Sequence, residues 1–250
     1  SAGLIELKAG IGIVFGANIG TTVTAWLLAG LGLKVKLSAY SMPMMVFGII
    51  LVFQNSKSLK AIGWVLAGVG FIFMGIQNMK EGFDVMRESI DLSAYAMDGF
   101  AGLMVFTLIG IVATIIMQSS SATLVLIITA LATSQVSYEN ALALSIGANV
   151  GTTITAIIGS LGSNINGKRL AGAHLIFNLI TAIIAILSIN YLLIAVEWIG
   201  DYMKLASDNY TLRLAIFHTL FNVIGVLVVM PFINPLVKFL TKIMPEKIPQ

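Results

Sequence analysis

Five polar side chains lie within six residues of an otherwise apolar stretch: Gln118, Ser119, Ser120, Ser121 and Thr123. In a soluble loop such a cluster would carry little information. Inside a membrane each unpaired polar group is costly, so a dense cluster needs a partner. Hydroxyl and amide oxygens, together with backbone carbonyls, are hard neutral ligands of the kind that suit Na⁺. The cluster therefore predicts a solute-binding segment at membrane depth.

The charged residues limit the chemistry further. Nearly all acidic side chains fall outside the apolar stretches, so the sequence does not predict a proton relay. The polar cluster also contains no Lys or Arg. A bound anion would then be held by N–H and O–H donors, helix dipoles and a co-bound cation. Each ligand would strengthen the binding of the other, which is a direct route to coupling.

The composition is typical of a polytopic helical membrane protein. Of the 250 residues, 58% are hydrophobic and 10% are charged, whereas soluble domains carry roughly 25% charged residues. We therefore predict an all-α, multi-pass protein of the cell membrane, surrounded by the lipid bilayer. The absence of Cys excludes disulfides and thiolate metal sites. The small basic surplus, 14 residues against 11, gives no argument for a nucleic acid partner.

The apolar stretches define the candidate membrane spans. Residues 100–134 are too long for one crossing, because 35 helical residues extend about 52 Å against roughly 30 Å of hydrocarbon. We predict a break near 118–121, where unwound backbone would offer carbonyls to a cation and a helix N-terminus to an anion. The glycines of 61–79 predict either close packing between helices or a dimer face, so the sequence leaves undecided whether the protein forms a homodimer. The spans are 9–32, 37–54, 61–79, 100–134, 139–162, 169–194 and 213–240.

Two segments between the spans, 80–98 and 195–212, have amphipathic patterns. Each is either a helix in the plane of the membrane interface or a short solvated connector. Two lysines follow the first span and two follow the second, at ends that should face opposite sides. The positive-inside rule therefore leaves the orientation undecided.

A ten-residue motif occurs twice, at 16–25 and at 147–156, with eight identical positions and two Ile/Val exchanges. Such an internal repeat is common in secondary transporters, whose sites form where the repeats meet. The alternative is Gly/Thr helix packing with hydroxyls bonded back to their own helix. Under the transporter interpretation, the oxygens of the motifs extend the predicted ligand set to Asn18, Thr21, Thr22, Asn149, Thr152 and Thr153.

The register of the repeat predicts an organisation for the whole chain. Gln118 lies 29 residues before Gly147, and the same distance before Gly16 falls ahead of Ser1. We therefore expect a first Gln-Ser-Ser-Ser segment upstream of this chain. The predicted units are 1–79 as the later part of the first repeat, 80–98 as a connector, 99–194 as the second repeat, and 195–250 as an amphipathic segment with the final membrane helix.

An enzymatic alternative would pair a serine of 119–121 with His174 or His218. The chain has no Gly-x-Ser-x-Gly elbow, and an acidic third member is hard to place. We therefore predict that the protein is not an enzyme. Each His is followed four residues later by an Asn, namely Asn178 and Asn222, so each pair shares a helix face. These pairs predict polar contacts between helices.

The Gln-Ser-Ser-Ser segment at 118–121 and the two Gly-Ala-Asn-[Ile/Val]-Gly-Thr-Thr motifs resemble the type II sodium–phosphate cotransporter family, its bacterial members most closely. The resemblance covers nearly the whole chain. It implies an inverted-repeat secondary transporter with broken or re-entrant helices, which imports inorganic phosphate by symport with Na⁺ as the coupling ion. The main alternatives are a phosphate exporter, a carrier of another oxyanion, or a membrane scaffold that does not transport.

The resemblance also implies roles for individual residues. The Gln-Ser-Ser-Ser residues would contribute to both the phosphate and the Na⁺ sites. Adding the motif oxygens, we expect phosphate to contact Gln118, Ser119, Ser120, Ser121, Asn149, Thr152, Asn18 and Thr21. The expected Na⁺ ligands are Gln118, Ser119, Ser121, Thr123, Thr153 and Thr22.

Overall fold

The computed structural model describes residues 5–32, 38–89 and 96–246, and every regular element in these ranges is helical. The predicted all-α class is therefore confirmed. A π-helical turn at Leu28–Gly32 follows the first helix, and a 3-10 turn at Met230–Phe232 precedes the last. The helices are α1 (Leu7–Leu27), α2 (Ser38–Val52), α3 (Lys57–Ser89), α4 (Gly99–Met117), α5 (Ser120–Ala132), α6 (Tyr138–Ser160), α7 (Ile165–Leu187), α8 (Ile189–Tyr202), α9 (Tyr210–Val229) and α10 (Ile233–Ile243).

Within the described residues, six helical stretches are long and apolar enough to cross a membrane, which confirms a multi-pass membrane protein. Helix α6 occupies the centre of the molecule. In its most apolar stretch of 18 residues, 67% of the residues are buried, against 22% in the corresponding stretch of α4. The apolar helices α2 and α5 are shorter than the six. The six stretches are Leu7–Gly30, Lys57–Met79, Gly99–Met117, Tyr138–Ser160, Ile165–Leu187 and Tyr210–Ile243.

Two hydrophobic clusters hold the helices together. The larger joins α5, α6, α8 and α9 around Leu142, Ile146 and Phe217, and it also takes in the end of α1. The smaller joins the starts of α1 and α7 to α10, and in it Phe15 stacks on Phe177 with ring centroids 4.4 Å apart. Helix α1 therefore contacts the rest of the bundle along its whole length.

Glycines set the closest helix contacts. A Cβ on Gly147 would collide with the carbonyl oxygen of Thr107, and a Cβ on Gly110 with that of Leu144. Helices α4 and α6 thus have their backbones in contact. They run parallel, because Gly151, which follows Gly147 on α6, lies against Thr114, which follows Thr107 on α4. Helix α3 approaches α2 in the same way, because a Cβ on Gly63 would lie 2.6 Å from the carbonyl oxygen of Gly48. The predicted packing role of the 61–79 glycines is confirmed at Gly63.

Several predicted boundaries differ from the structure. The span 169–194 is wrong as one helix, because α7 ends at Leu187 and α8 begins at Ile189. The Ser188 hydroxyl at this junction donates to the Ile184 carbonyl at 2.6 Å, which closes the last turn of α7. The span 213–240 lies within the continuous helical stretch Tyr210–Ile243, which the 3-10 turn containing Pro231 divides into α9 and α10. The predicted span 37–54 forms α2, which has 15 residues.

The two segments predicted to be amphipathic differ in how far the structure describes them. The segment 195–212 contains the end of α8, which buries Val196 and Gly200 and exposes Trp198 and Tyr202. In the segment 80–98, α3 continues to Ser89, and residues 90–95 lie outside the described part of the chain.

Candidate functional site

The predicted break at 118–121 is confirmed. Helix α4 ends at Met117, Gln118 adopts a left-handed conformation (φ 54°, ψ 21°), and α5 begins at Ser120. The Gln118 N–H donates to the Thr114 carbonyl at 2.8 Å and so closes α4. This position usually carries Gly, because a Cβ in the left-handed region costs roughly 1–2 kcal/mol. Gln118 shares this conformation with Ser134 and Lys204, so the backbone angle alone assigns no role to its side chain.

Two of the five polar side chains build the turn itself. The Ser119 hydroxyl accepts from the Ala122 N–H at 3.2 Å and caps α5. Thr123 is 1% exposed, and its hydroxyl donates to the Ser119 carbonyl at 3.0 Å. The buried Thr114 hydroxyl of α4 donates to the Thr123 oxygen, also at 3.0 Å. Thr114 was not predicted from the sequence. It joins α4 to α5, the two arms of the helical hairpin that turns at Gln118 and Ser119.

The other three side chains are uncommitted. Within the described residues, Gln118, Ser120 and Ser121 form no side-chain hydrogen bond. Gln118 is exposed, whereas Ser120 and Ser121 are half-buried. They lie at the N-terminus of α5, where the N–H groups of the first turn carry the positive end of the helix dipole. The turn therefore presents an amide, two hydroxyls and free N–H groups to a ligand.

Asn149 of the second motif is engaged on both sides of its amide. Its Nδ2 donates to Asn222 Oδ1 at 2.7 Å, and its Oδ1 lies 3.2 Å from His218 Nε2. The Asn222 Nδ2 in turn donates to the His218 carbonyl at 2.7 Å. All three residues are buried, and together they connect α6 to α9. The predicted interhelical role of His218 and Asn222 is confirmed.

The threonines of both motifs bond back to their own helices. Thr21 and Thr22 donate to the carbonyls of Asn18 and Ile19 at 2.8 and 2.7 Å, and Thr153 donates to that of Val150 at 2.7 Å. Thr152 bonds the Asn149 carbonyl in the same way. Because the hydroxyl protons are used, these groups have lone pairs left for a cation but no proton for an anion.

The two motifs have different surroundings. In the second motif, a Cβ on Gly151 would lie 2.6 Å from Thr114 Cβ, so α4 covers this face of α6. In the first motif, a Cβ on Gly16 or Gly20 would meet nothing within 4 Å. The Asn18 amide donates to the Val14 carbonyl of its own helix at 3.0 Å. The first motif therefore presents an open face where the second is covered.

An open groove of about 230 Å³ lies where α1, the end of α6 and the start of α7 meet. Its walls include Val14, which precedes the first motif, and Ala156, which ends the second. Ser160, Ser163 and His174 supply its polar lining. The groove thus borders both repeated segments.

One protein family and several individual proteins match the chain. The sequence pattern of the family described as Na⁺/Pi-cotransporter matches residues 1–81 and 99–230. The chain is 25% identical over 257 residues to the uncharacterized protein YqeW of Bacillus subtilis, covering 99% of this chain and 76% of YqeW. It is 28% identical over 238 residues to YjbB of Escherichia coli, whose name assigns it provisionally to inorganic phosphate export.

The lengths covered differ between these relatives. The match to the Escherichia coli protein covers 94% of this chain but 41% of YjbB. The match to YjbB of Salmonella typhimurium is 26% identical and covers 43% of that protein. The chain therefore spans about two-fifths of the length of the YjbB proteins. No solved structure matches the chain.

Proposed function

The chain belongs to the Na⁺/Pi-cotransporter family, and on this premise we propose that it transports inorganic phosphate across the cell membrane in symport with Na⁺. The observation that supports this most directly is the Gln118 turn. Three uncommitted polar side chains and the free N–H groups of α5 meet there, within an apolar bundle. A phosphate anion needs such donors, and a helix N-terminus adds a favourable dipole.

In this proposal phosphate contacts Gln118, Ser120 and Ser121, together with the N–H groups at the start of α5. Ser119 acts through the cap that it forms, and Thr123 through the bond that holds the two arms. Asn18, Thr21 and Thr152 remain candidate contacts from the repeated motifs, but the two threonines would first have to withdraw their hydroxyl protons from the carbonyls of their own helices. Asn149 contributes by fixing the position of α6, since its amide is already bonded at both atoms.

The Na⁺ ion takes oxygen ligands close to the anion. Thr22 and Thr153 offer hydroxyl lone pairs, since their protons are donated to their own helices. The phosphate has no Lys or Arg near it in the turn, so a co-bound Na⁺ supplies the missing positive charge. Binding of the two ions is then mutually favourable, and transport requires both.

Net export is the second candidate function. It is favoured by the names of the YjbB relatives, which assign them to phosphate export. The same site serves both directions, because a secondary transporter follows the summed gradients of its ions. The direction is decided by which ion gradient drives the cycle.

Reconstituted vesicles test the proposal. With an inward Na⁺ gradient, labelled phosphate should accumulate, and replacing Na⁺ with choline should abolish the accumulation. Phosphate flux that is indifferent to Na⁺ would refute the coupling, and flux that occurs outward only would favour export. The absence of phosphate flux in either direction would refute phosphate as the cargo.

A matched pair of glycine variants tests the site. Gln118 and Ser134 are both non-glycine residues with left-handed backbones, at φ 54° and 57°. Gln118→Gly and Ser134→Gly therefore relieve similar backbone strain, but only the first removes an amide from the turn. Gln118→Gly should weaken phosphate binding about 10- to 100-fold, the value of a hydrogen bond to a charged group. Ser134→Gly should leave binding unchanged, and equal behaviour of the two would remove Gln118 from the site.

A further inference from the structure

The charged residues of α1, of α4, of α6 to α10 and of their connections separate between the two ends of the bundle. Helix α10 packs against the start of α7, because a Cβ on Gly172 would lie 3.2 Å from Leu240 Cδ2. The start of α1 joins the same place, with Leu7, Leu170 and Met244 in one cluster. We call this the basic end. Its charged residues include Lys8, Lys168, Arg169, Lys238 and Lys242, with Glu6 and Glu246.

The opposite end carries the reverse sign. Helices α6 and α9 begin there, with the Tyr138 and Tyr210 rings 5.1 Å apart. Helix α4 begins at this end too, since it runs parallel to α6. We call this the acidic end. Its charged residues with described side chains include Lys204 and Arg213 against Asp98, Glu139, Glu197, Asp201 and Asp208.

The buried arginine of the acidic end is ion-paired, whereas the lysines of the basic end are not. At the acidic end, Arg213 lies 3.7 Å from Glu197 and 3.5 Å from Asp201. At the basic end, none of the described lysines forms an ion pair. Lys238 and Lys242 lie one helical turn apart on α10, so their like charges repel each other. These lysines are therefore available to an anionic partner.

Helix α10 has the surface pattern of a membrane-boundary helix. It buries Leu236 and Leu240 against the bundle, while Phe239 and Ile243 stay 51% and 50% exposed along one flank. Lys238 and Lys242 lie on the outer side. An apolar flank beside a row of lysines fits the level at which acyl chains meet headgroups.

Arg169 fixes α10 in this position. Its Nε and Nη2 donate to the Met244 carbonyl at 3.0 and 2.7 Å, and its Nη1 donates to Asn166 Oδ1 at 2.9 Å. Met244 follows the last residue of α10, where carbonyl groups are left without helical partners. The lysine row of α10 is thus held on the bundle by a buried guanidinium.

We propose that the basic end binds the anionic headgroups of the cytoplasmic leaflet, and that the chain is oriented with α10 at the cytoplasmic side. Loops rich in Lys and Arg stay on the cytoplasmic side of membrane proteins, and that leaflet is rich in anionic lipid. The inference is independent of the transported solute. Each lysine near such a surface strengthens lipid association about fivefold.

Lipid selectivity provides the first test. The whole protein is reconstituted with spin-labelled phosphatidylglycerol or phosphatidylcholine, and the fraction of motionally restricted lipid is measured for each. Lys238→Gln and Lys242→Gln should each lower the preference for phosphatidylglycerol several-fold, whereas Lys204→Gln at the acidic end should not. High salt should weaken the preference as well. A preference that is unchanged in both α10 variants would overturn the proposed lipid contact.

Cysteine labelling tests the orientation separately, because the natural chain contains no Cys. Thr241 of α10 and Ser207 before α9 are both exposed, at opposite ends. A membrane-impermeant maleimide added to intact cells should label Ser207→Cys and spare Thr241→Cys. Inside-out vesicles should give the opposite result. Labelling of Thr241→Cys from outside the cell would refute the assigned orientation.

Discussion

At the scale of single residues, the polar side chains predicted as ligands fall into two groups. Ser119, Thr123 and Asn149 are bonded within the protein, whereas Gln118 and Ser120 are not. The sequence predicted all five as ligands, because a residue's type shows which bonds it can form but not which neighbour takes them. The bonds of Asn149 depend on α9, which lies about 70 residues further along the chain.

The Asn149 connection predicts a non-additive pair of substitutions. Asn149→Ala and His218→Ala should each destabilise the protein, because each leaves a buried polar partner without its bond. The double variant should cost less than the sum, with a coupling of roughly 0.6–1.7 kcal/mol, as found for hydrogen bonds in membrane proteins. Unfolding titrations in mixed micelles measure all three free energies.

His174 serves as the control for this cycle. Its ring forms no hydrogen bond among the described residues, although its sequence context resembles that of His218. His174→Ala combined with Asn149→Ala should be additive. Additive behaviour of His218 and Asn149 would show that the 3.2 Å contact carries no coupling.

At the scale of helices, the sequence pattern predicted some helix boundaries correctly and missed others. The 3.6-residue period and the length limit of a bilayer predicted the break in 100–134 and the position of α6. The ends of α7 and α9 were missed, since Ser188 and Pro231 lie within apolar runs that are continuous in the sequence. The unequal covering of the two motifs was also beyond prediction, because it depends on where α4 packs.

Equivalent glycines of the two motifs should respond differently to alanine. Gly147→Ala places a methyl group against the Thr107 carbonyl, which forces α4 and α6 apart and should destabilise the protein by about 1–3 kcal/mol. Gly16→Ala has open space and should be neutral or stabilising by up to about 1 kcal/mol. Thermal unfolding in detergent compares the two, and a destabilising Gly16→Ala would indicate that the open face is occupied.

At the scale of the whole molecule, the apolar composition predicted the membrane class correctly, and the six crossing stretches confirm it. The equal lysine counts of the first loops left the orientation undecided. The sides become distinguishable only after the α4–α5 hairpin, α7 and α10 are placed. The hairpin returns the chain to its starting side, so α4 and α6 begin at the same end. Sequence counts alone cannot supply that fact.

Coupled binding of two ions predicts a cooperative effect on global stability. A ligand that binds the folded state raises stability in proportion to the logarithm of its concentration over its Kd. If Na⁺ and phosphate strengthen each other, adding both should raise the Tm by more than the sum of the separate shifts. Differential scanning fluorimetry with choline chloride as the ionic control measures this. Strictly additive shifts would contradict the coupling.

The contact between α4 and α6 also has a consequence for biosynthesis. Thr107 and its partner Gly147 are separated by about 40 residues, which a ribosome adds in about 2–8 s at 5–20 residues per second. During that interval α4 leaves the translocon without the helix that fits its surface. The Thr107 hydroxyl donates to the Leu103 carbonyl at 2.7 Å, so this polar side chain has its hydrogen-bond partner within α4 itself. During this interval an unassembled α4 is accessible to insertase chaperones and to quality-control proteases. Variants at the contact between Thr107 and Gly147 are therefore expected to lower the cellular yield of the protein before they affect its activity.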